Sequence, residues 1–333
     1  QTAIDSLPIE GGCVCLKTGV HNISATIQIL SSRIILRGES PGAIVRSAGL
    51  ATTLQIGGAN ASISDIVVEG IRFEATAAAS NTGSIGALLY LEGCTRVRVE
   101  HCALAVVVPS TQTTPSYVGN NLNSVTDVDL IANHLDNFLI GIMSHDYQGG
   151  LSITGNAITG ITGTFLGQAN SSTGQYGIRI DTDHTLACHI KDNRIRHFWV
   201  GISLRHQAVG SLIAGNRISR SAGITQDKFP GTVAEMRSYL DTRLYAIEVE
   251  AAYCEVRGNQ IDLLSAAWGG IRVSGEHVTI DGNILGAIAQ ANQLTVPAAI
   301  YCQADTEKGL SADHAVVRDN SLLGPQFGIV VSR

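Results

Sequence analysis

The sequence predicts an all-β, single-stranded right-handed parallel β-helix, a solenoid of stacked coils behind a short N-terminal capping helix. Three observations predict it. A strand-and-turn phrase ending in Asn recurs along the chain, and a second phrase opening with Gly or Ala recurs between its copies. The composition also suits such a fold. Of 333 residues, 44% are hydrophobic and only 15% charged, and 36 glycines against 7 prolines allow many tight turns.

The first phrase is an alternating apolar strand that runs into a turn. It reads Leu130-Ile131-Ala132-Asn133, Ile153-Thr154-Gly155-Asn156, Ile190-Lys191-Asp192-Asn193 and Ile213-Ala214-Gly215-Asn216. It returns as Val256-Arg257-Gly258-Asn259, Ile280-Asp281-Gly282-Asn283 and Val317-Arg318-Asp319-Asn320, and Arg98-Val99-Glu100-His101-Cys102 is a degenerate earlier copy. The second phrase starts at Ala87, Gly141, Gly177, Gly201, Ala246, Gly270, Ala299 and Gly328. Its shortest repeat, Gly177 to Gly201, spans 24 residues, enough for two or three short strands and their turns. Strands that recur once per coil with no helix between them stack in parallel on their own copies, and the repeats amount to roughly ten to twelve coils at ~4.8 Å spacing. The dense Leu pattern of a leucine-rich repeat is absent.

Alternation along a strand assigns faces. One residue after each Gly or Ala come Leu88, Ile142, Ile178, Ile202, Ile247, Ile271, Ile300 and Ile329, an apolar column that points inward. Tyr90, Ser144, Ile180, Leu204, Val249, Val273, Cys302 and Val331 share that face by the same count. The Asn column reads as stacked side chains bonding backbone groups at a turn, not as a site.

The totals exclude several functions. A net charge of -6 with no run of Lys or Arg argues against a nucleic-acid partner. No apolar run reaches the ~18 residues of a membrane span. No P-loop or dinucleotide fingerprint occurs. The seven cysteines (13, 15, 94, 102, 188, 254 and 302) show no CxxC pair and no metal spacing, and read as buried free thiols. Cys188 and Cys254 share a column but lie two coils, ~9.6 Å, apart, too far for a disulfide. The chain begins at Gln1 with no signal-peptide pattern and reads as a processed or excised segment.

With these repeats the chain resembles the pectin-lyase-like superfamily of right-handed β-helices. The resemblance implies that residues 1–333 form one β-helix domain. Residues 2–8, within a cap of residues 1–10, would form its amphipathic helix, and residues 11–16, 19–23 and 34–38 the first coils. That superfamily holds polysaccharide lyases, hydrolases and epimerases, together with tailspikes, adhesins and phage-tail-like modules. Its catalytic signatures are missing here: no Gly-His-Gly with paired aspartates, no Arg-x-Pro-x-x-Arg, no Asp-Pro-His-Glu. Asp183-His184 is a two-residue echo, so no catalytic residue carries over.

Outward positions concentrate charge. Two residues after the Gly or Ala stand Leu89, Met143, Arg179, Ser203, Glu248, Arg272, Tyr301 and Val330; four after it stand Leu91, His145, Asp181, Arg205, Glu250, Ser274, Gln303 and Ser332. Two readings stand. One is a solvated ladder of salt bridges, each worth ~0–1 kcal/mol. The other is a groove for sugar. There Asp181, Glu250, Arg205 and His145 are candidate catalytic groups, and Arg179, Glu248, Arg272, Tyr245 and Trp268 candidate substrate contacts. The spacing from turn Asn to the next Gly or Ala favours the groove. It is 8 residues in three coils but 21 from Asn156 and 30 from Asn216, so insertions at residues 160–174 and 219–245 leave the same edge. Thr232-Val233-Ala234-Glu235 is a capping-box pattern for a short helix in the second insertion. Phe165, Phe229, Tyr239, Tyr245 and Trp268 lie in or near these loops. Asp127 with Asp129, and Asp181 with Asp183, are the pairs for a Ca²⁺ ion; no other metal or cofactor is implied.

The expected function is therefore binding of an acidic polysaccharide or other glycan by an extracellular or surface-exposed protein, with lyase, hydrolase or epimerase processing open. The alternative is a non-catalytic adhesin or spike module of a larger surface or phage-tail-like assembly. Because Gly328-Ile329-Val330-Val331-Ser332-Arg333 ends the chain inside an apolar strand, a further chain, domain or subunit is expected over that end.

Overall fold

The computed structural model describes residues 1–333 except 49, 60, 77–85, 108–116, 161–175, 183, 185, 206, 220–244, 264–268, 288–298, 304–311, 324–327 and 333. All of both insertions but residues 160, 219 and 245, the capping-box segment and Phe165, Phe229, Tyr239, Trp268 and Asp183 fall outside the described residues. The protein is a right-handed parallel β-helix, and its one described helix is short: Thr2–Asp5, with Ile4 buried and Ser6 closing it. It thus ends earlier than the expected residue 8, where Pro8 has no N–H to give.

The chain forms two compact units, Gln1–Thr159 and Gly160–Arg333. In each, three strands per coil build three parallel sheets. In the second unit the third sheet stacks Tyr176–Ile180, Val200–Leu204, Tyr245–Val249, Gly269–Val273, Ile300–Gln303 and Ile329–Ser332. Ile178, Ile202, Ile247, Ile271, Ile300 and Ile329 lie in register along it, and the first five are fully buried. This is the expected inward column. Burying each such side chain contributes ~1.5–3 kcal/mol. Gly177 starts its phrase because a Cβ there would collide with Ile195 and the carbonyl of Gly201.

The Asn column is a ladder. Asn216 Nδ2 donates to the Ile190 carbonyl at 2.9 Å, and Asn259 Nδ2 does the same to Ile213 at 3.0 Å. In the first unit Cys102 takes the Asn place, its N–H donating to Asn133 Oδ1 at 2.9 Å, as the degenerate copy implies.

Two expectations need correction. First, the Ala87 phrase is framed one residue early. Leu89, not Leu88, aligns with Ile142, and Leu91 aligns with Ser144, so Leu89 and Leu91 point inward and Tyr90 joins the outward column of Met143. Between them lies a coil with no phrase of its own, within Tyr117–Ile131, where Asn120 stands in register with Leu89 and Ile142. Second, Cys13 and Cys15 are exposed, because Gly12–Leu16 turns Val14 and Leu16 toward the interior. The other five cysteines are buried, and all seven are free.

Candidate functional site

The outward face of the second unit's third sheet gathers most of the predicted charges. Ile178 and Ile180 point in, so Arg179 and Asp181 point out, and they form an ion pair at 2.6 Å. One coil on, the Arg205 N–H donates to the Ile180 carbonyl at 3.0 Å, which sets Arg205 beside Asp181. Arg205 Nη2 donates to the Tyr176 hydroxyl at 3.0 Å. The guanidinium carbons of Arg179 and Arg205 lie 5.3 and 5.8 Å from the centre of the Tyr176 ring, within cation–π range. In the following coil the Glu250 N–H donates to the Leu204 carbonyl at 2.8 Å, and Glu248 lies in register between Ser203 and Arg272. Arg272 Nη2 donates to Gln303 Oε1 at 3.2 Å.

Burial sets this stripe apart from an ordinary surface ladder. Glu248 and Glu250 are only 6% and 7% exposed, and the side chains of Arg179 and Asp181 only 19% and 28%. A solvated ladder would leave such groups in water. Removing carboxylates from water costs several kcal/mol unless cations compensate. Arg205 is one compensating cation, and Arg272 stands in register beside Glu248. Burial works against the Arg205 charge, yet Tyr176, Glu250, Asp181 and Glu248 outweigh that and hold its pKa above the usual arginine value.

The remaining predicted residues are distributed as follows. Tyr245 is 4% exposed and stacks on Tyr301, with ring centres 6.1 Å apart. Gly269 makes room for it, since a Cβ there would strike the Tyr245 ring. His145 is exposed but belongs to the first unit, at a bulge of Ile140–Tyr147 where the register skips from Ser144 to Asp146. The acidic pair Asp127 and Asp129 lies beside arginines in the first unit: Asp129 is 4.0 Å from Arg98, and Asp127 Oδ1 accepts from the Gly150 N–H at 3.0 Å. Tyr176, which organises both arginines, was not singled out in the sequence. Its place one residue before a Gly phrase was the available signal.

A profile of the NosD family, described as periplasmic copper-binding protein, matches residues 105–296. No curated protein matches the chain. Several solved structures share the fold. PfbA, a surface adhesin of Streptococcus pneumoniae, aligns with 10% identity and a TM-score of 0.60 over 96% of this chain and 79% of its own. The alginate lyase AlyF-OU02, in complex with G6, aligns with 14% identity and a TM-score of 0.55 over 90% of this chain and 60% of its own. DFA-IIIase from Arthrobacter chlorophenolicus A6, in complex with GF2, aligns with 11% identity and a TM-score of 0.53 over 92% and 88%.

Proposed function

We propose a glycan-binding function from one premise: the chain belongs to the NosD family of right-handed parallel β-helix proteins. The outward face around Arg205 is the binding surface, and an acidic glycan is its ligand. The observation that carries this reading is the concentration of Arg179, Asp181, Arg205, Glu248 and Glu250 in a largely desolvated patch. Charges held out of water with fixed partners are pre-organised, so they pair with a ligand's carboxylate and hydroxyls without first paying to order themselves. Arg205 takes the uronate carboxylate, Arg179 and Arg272 flank it, and Glu248 accepts from hydroxyls. Asp181 and Glu250 are the groups for acid or base work if the glycan is processed.

Among the described residues, the copper in the family description finds no matching cluster. Among the described residues no group of three or more His, Cys, Asp or Glu side chains stands together to hold a metal ion. Within the matched stretch, burial pushes the Cys254 thiol up to about 12, away from the thiolate that copper would need. The word periplasmic does agree with a glycan-facing protein outside the cytoplasm. Among the described residues no helix is long and apolar enough to cross a membrane.

The test is an array of uronate-bearing and neutral oligosaccharides, read for binding, for unsaturated products and for new reducing ends. Uronate binding that Arg205→Ala abolishes supports the reading, and turnover lost in Asp181→Asn adds catalysis. Binding without turnover makes the protein adhesin-like. Indifference of binding to Arg205→Ala overturns the assignment.

A further inference from the structure

Two polar side chains interrupt the aliphatic interior of the first unit's third sheet. One inward column runs Leu54, Leu89, Asn120 and Ile142 in register, and the next runs Ile56, Leu91, Leu122 and Ser144. Asn120 and Ser144 therefore stand at opposite corners of a square whose other corners are Leu122 and Ile142. Both are 0% exposed. Among the described residues, neither end of the Asn120 amide has a hydrogen-bond partner, and nor does Ser144 Oγ. Buried polar groups in native interiors are paired with protein or with ordered water, because an unpaired one loses its hydration for nothing.

Sheet geometry keeps the two side chains from pairing with each other. A diagonal step is ~4.8 Å across and ~6.6 Å along, about 8 Å in all, and Ser144 ends one atom beyond its Cβ. The gap left between amide and hydroxyl is the size that one oxygen bridges with two hydrogen bonds of ~2.8–3.0 Å. Ser144 also stands where the column otherwise carries Ile56, Leu91 and Leu122, so the missing methyl groups leave room beside the Asn120 amide. A buried water needs ~2–4 polar partners. The two ends of the amide and a hydroxyl that rotates to donate or accept supply that many. Other occupants fit less well. A Ca²⁺ ion takes ~6–8 oxygens, and the side chains here offer Asn120 Oδ1 and Ser144 Oγ. An apolar molecule would leave both groups unpaired.

We propose that Asn120 and Ser144 form an internal water site, in which one water bonds the Asn120 amide and the Ser144 hydroxyl and so ties two successive coils together inside the core. The bridge joins the coil within Tyr117–Ile131 to the next one, at the point where Asn120 replaces the aliphatic contact that Leu54 and Leu89 make in the coils before it. An atomic-resolution crystal structure of the full chain should show an ordered oxygen within hydrogen-bonding distance of both side chains. Urea unfolding adds a test that turns on sign. If the hydroxyl holds a water, Ser144→Ala strands the amide and the urea midpoint falls. If the hydroxyl is an orphan, its removal relieves a desolvated group and the midpoint rises. In Asn120→Leu, which continues the Leu54 and Leu89 column, the water has already lost its amide, so a further Ser144→Ala should no longer lower the midpoint. A direct Asn120–Ser144 hydrogen bond, no ordered oxygen between the two, an unchanged or raised midpoint in Ser144→Ala, or the same fall in both backgrounds would each overturn the proposal. The crystal structure of the unaltered protein decides the matter even where a variant fails to fold.

Discussion

Asn216 hangs on Asn259: its backbone N–H and its side-chain Nδ2 both donate to Asn259 Oδ1, at 2.9 and 3.0 Å. Asn193 hangs on Asn216 in the same way, at 3.0 Å for both bonds. Each rung therefore supplies an acceptor to the coil before it and a donor to that coil's strand, all out of contact with water. Asn216→Ala would leave the Asn193 N–H and the Ile190 carbonyl without these partners. The expected loss is ~2–4 kcal/mol, since each orphaned buried group costs ~1–3 kcal/mol. Asn320, whose Nδ2 bonds to Ile280 and Arg318 at a partly exposed rung, should lose less when changed to Ala. Urea unfolding of the two variants checks the ranking.

Arg205 should matter for stability as well as for binding. Arg205→Ala takes one compensating cation from Glu248 and Glu250, which stay almost fully buried. We expect a loss of ~1–3 kcal/mol, below the ~3–5 kcal/mol of a fully buried broken pair because Arg205 is itself partly exposed. Lys17→Ala breaks a pair with Glu39 at 2.9 Å on the open surface and should cost only ~0–1 kcal/mol. Equal, negligible effects of the two substitutions in thermal melts would mean that the Arg205 patch is solvated after all.

The cysteines should divide sharply in reactivity. Cys13 and Cys15 are exposed, whereas Cys94, Cys102, Cys188, Cys254 and Cys302 are buried. Burial pushes the thiols of Cys94, Cys102 and Cys254 up to about 12. Alkylation of the native protein at pH 8 should modify Cys13 and Cys15 and spare the rest, while unfolding in urea releases all seven. Peptide mass spectrometry reads the sites directly. The raised thiols also favour the folded state below their ordinary pKa of 9.0, and that contribution is lost as pH rises toward 12.

Residues with a strong period were legible, and those without one were not. The Asn turns and the Ile178–Ile202 column could be aligned because an apolar residue alternates with a polar one in each copy. The frame at Ala87 slipped because Leu88-Leu89-Tyr90-Leu91 offers no alternation, and a one-residue slip exchanges the faces. The coil within Tyr117–Ile131 went unseen because Asn120 fills an inward position, where its amide has no hydrogen-bond partner among the described residues. For the candidate site, the columns told which charges share a face, but not that Glu248 and Glu250 are buried, because exposure depends on packing across coils. Asp127 and Asp129 were read as an acidic pair. Only the register shows Arg96 and Arg98 beside them in the preceding coil.

Asp65 should set part of the acid stability of the first unit. The hydrogen bonds from Arg96, and then that from the Ser64 hydroxyl, hold its carboxyl at about 2, below the ordinary value of 3.8. A depressed carboxyl pKa means that the unfolded chain takes up the proton first as pH falls. The contribution is thus fully present above about pH 4 and disappears as pH drops through about 2. Two measurements follow. The Asp65 carboxyl carbon, followed by NMR, should titrate near 2 in the native protein and move back toward 3.8 in Arg96→Ala. The melting temperature of Asp65→Asn should lie slightly below that of the native protein at pH 6 and fall less steeply between pH 4 and pH 2, so that the two curves converge. Because the pair is open to solvent, 0.5 M salt should narrow the difference at pH 6. Parallel curves over the whole range would show that the Arg96–Asp65 pair contributes nothing to the acid limb.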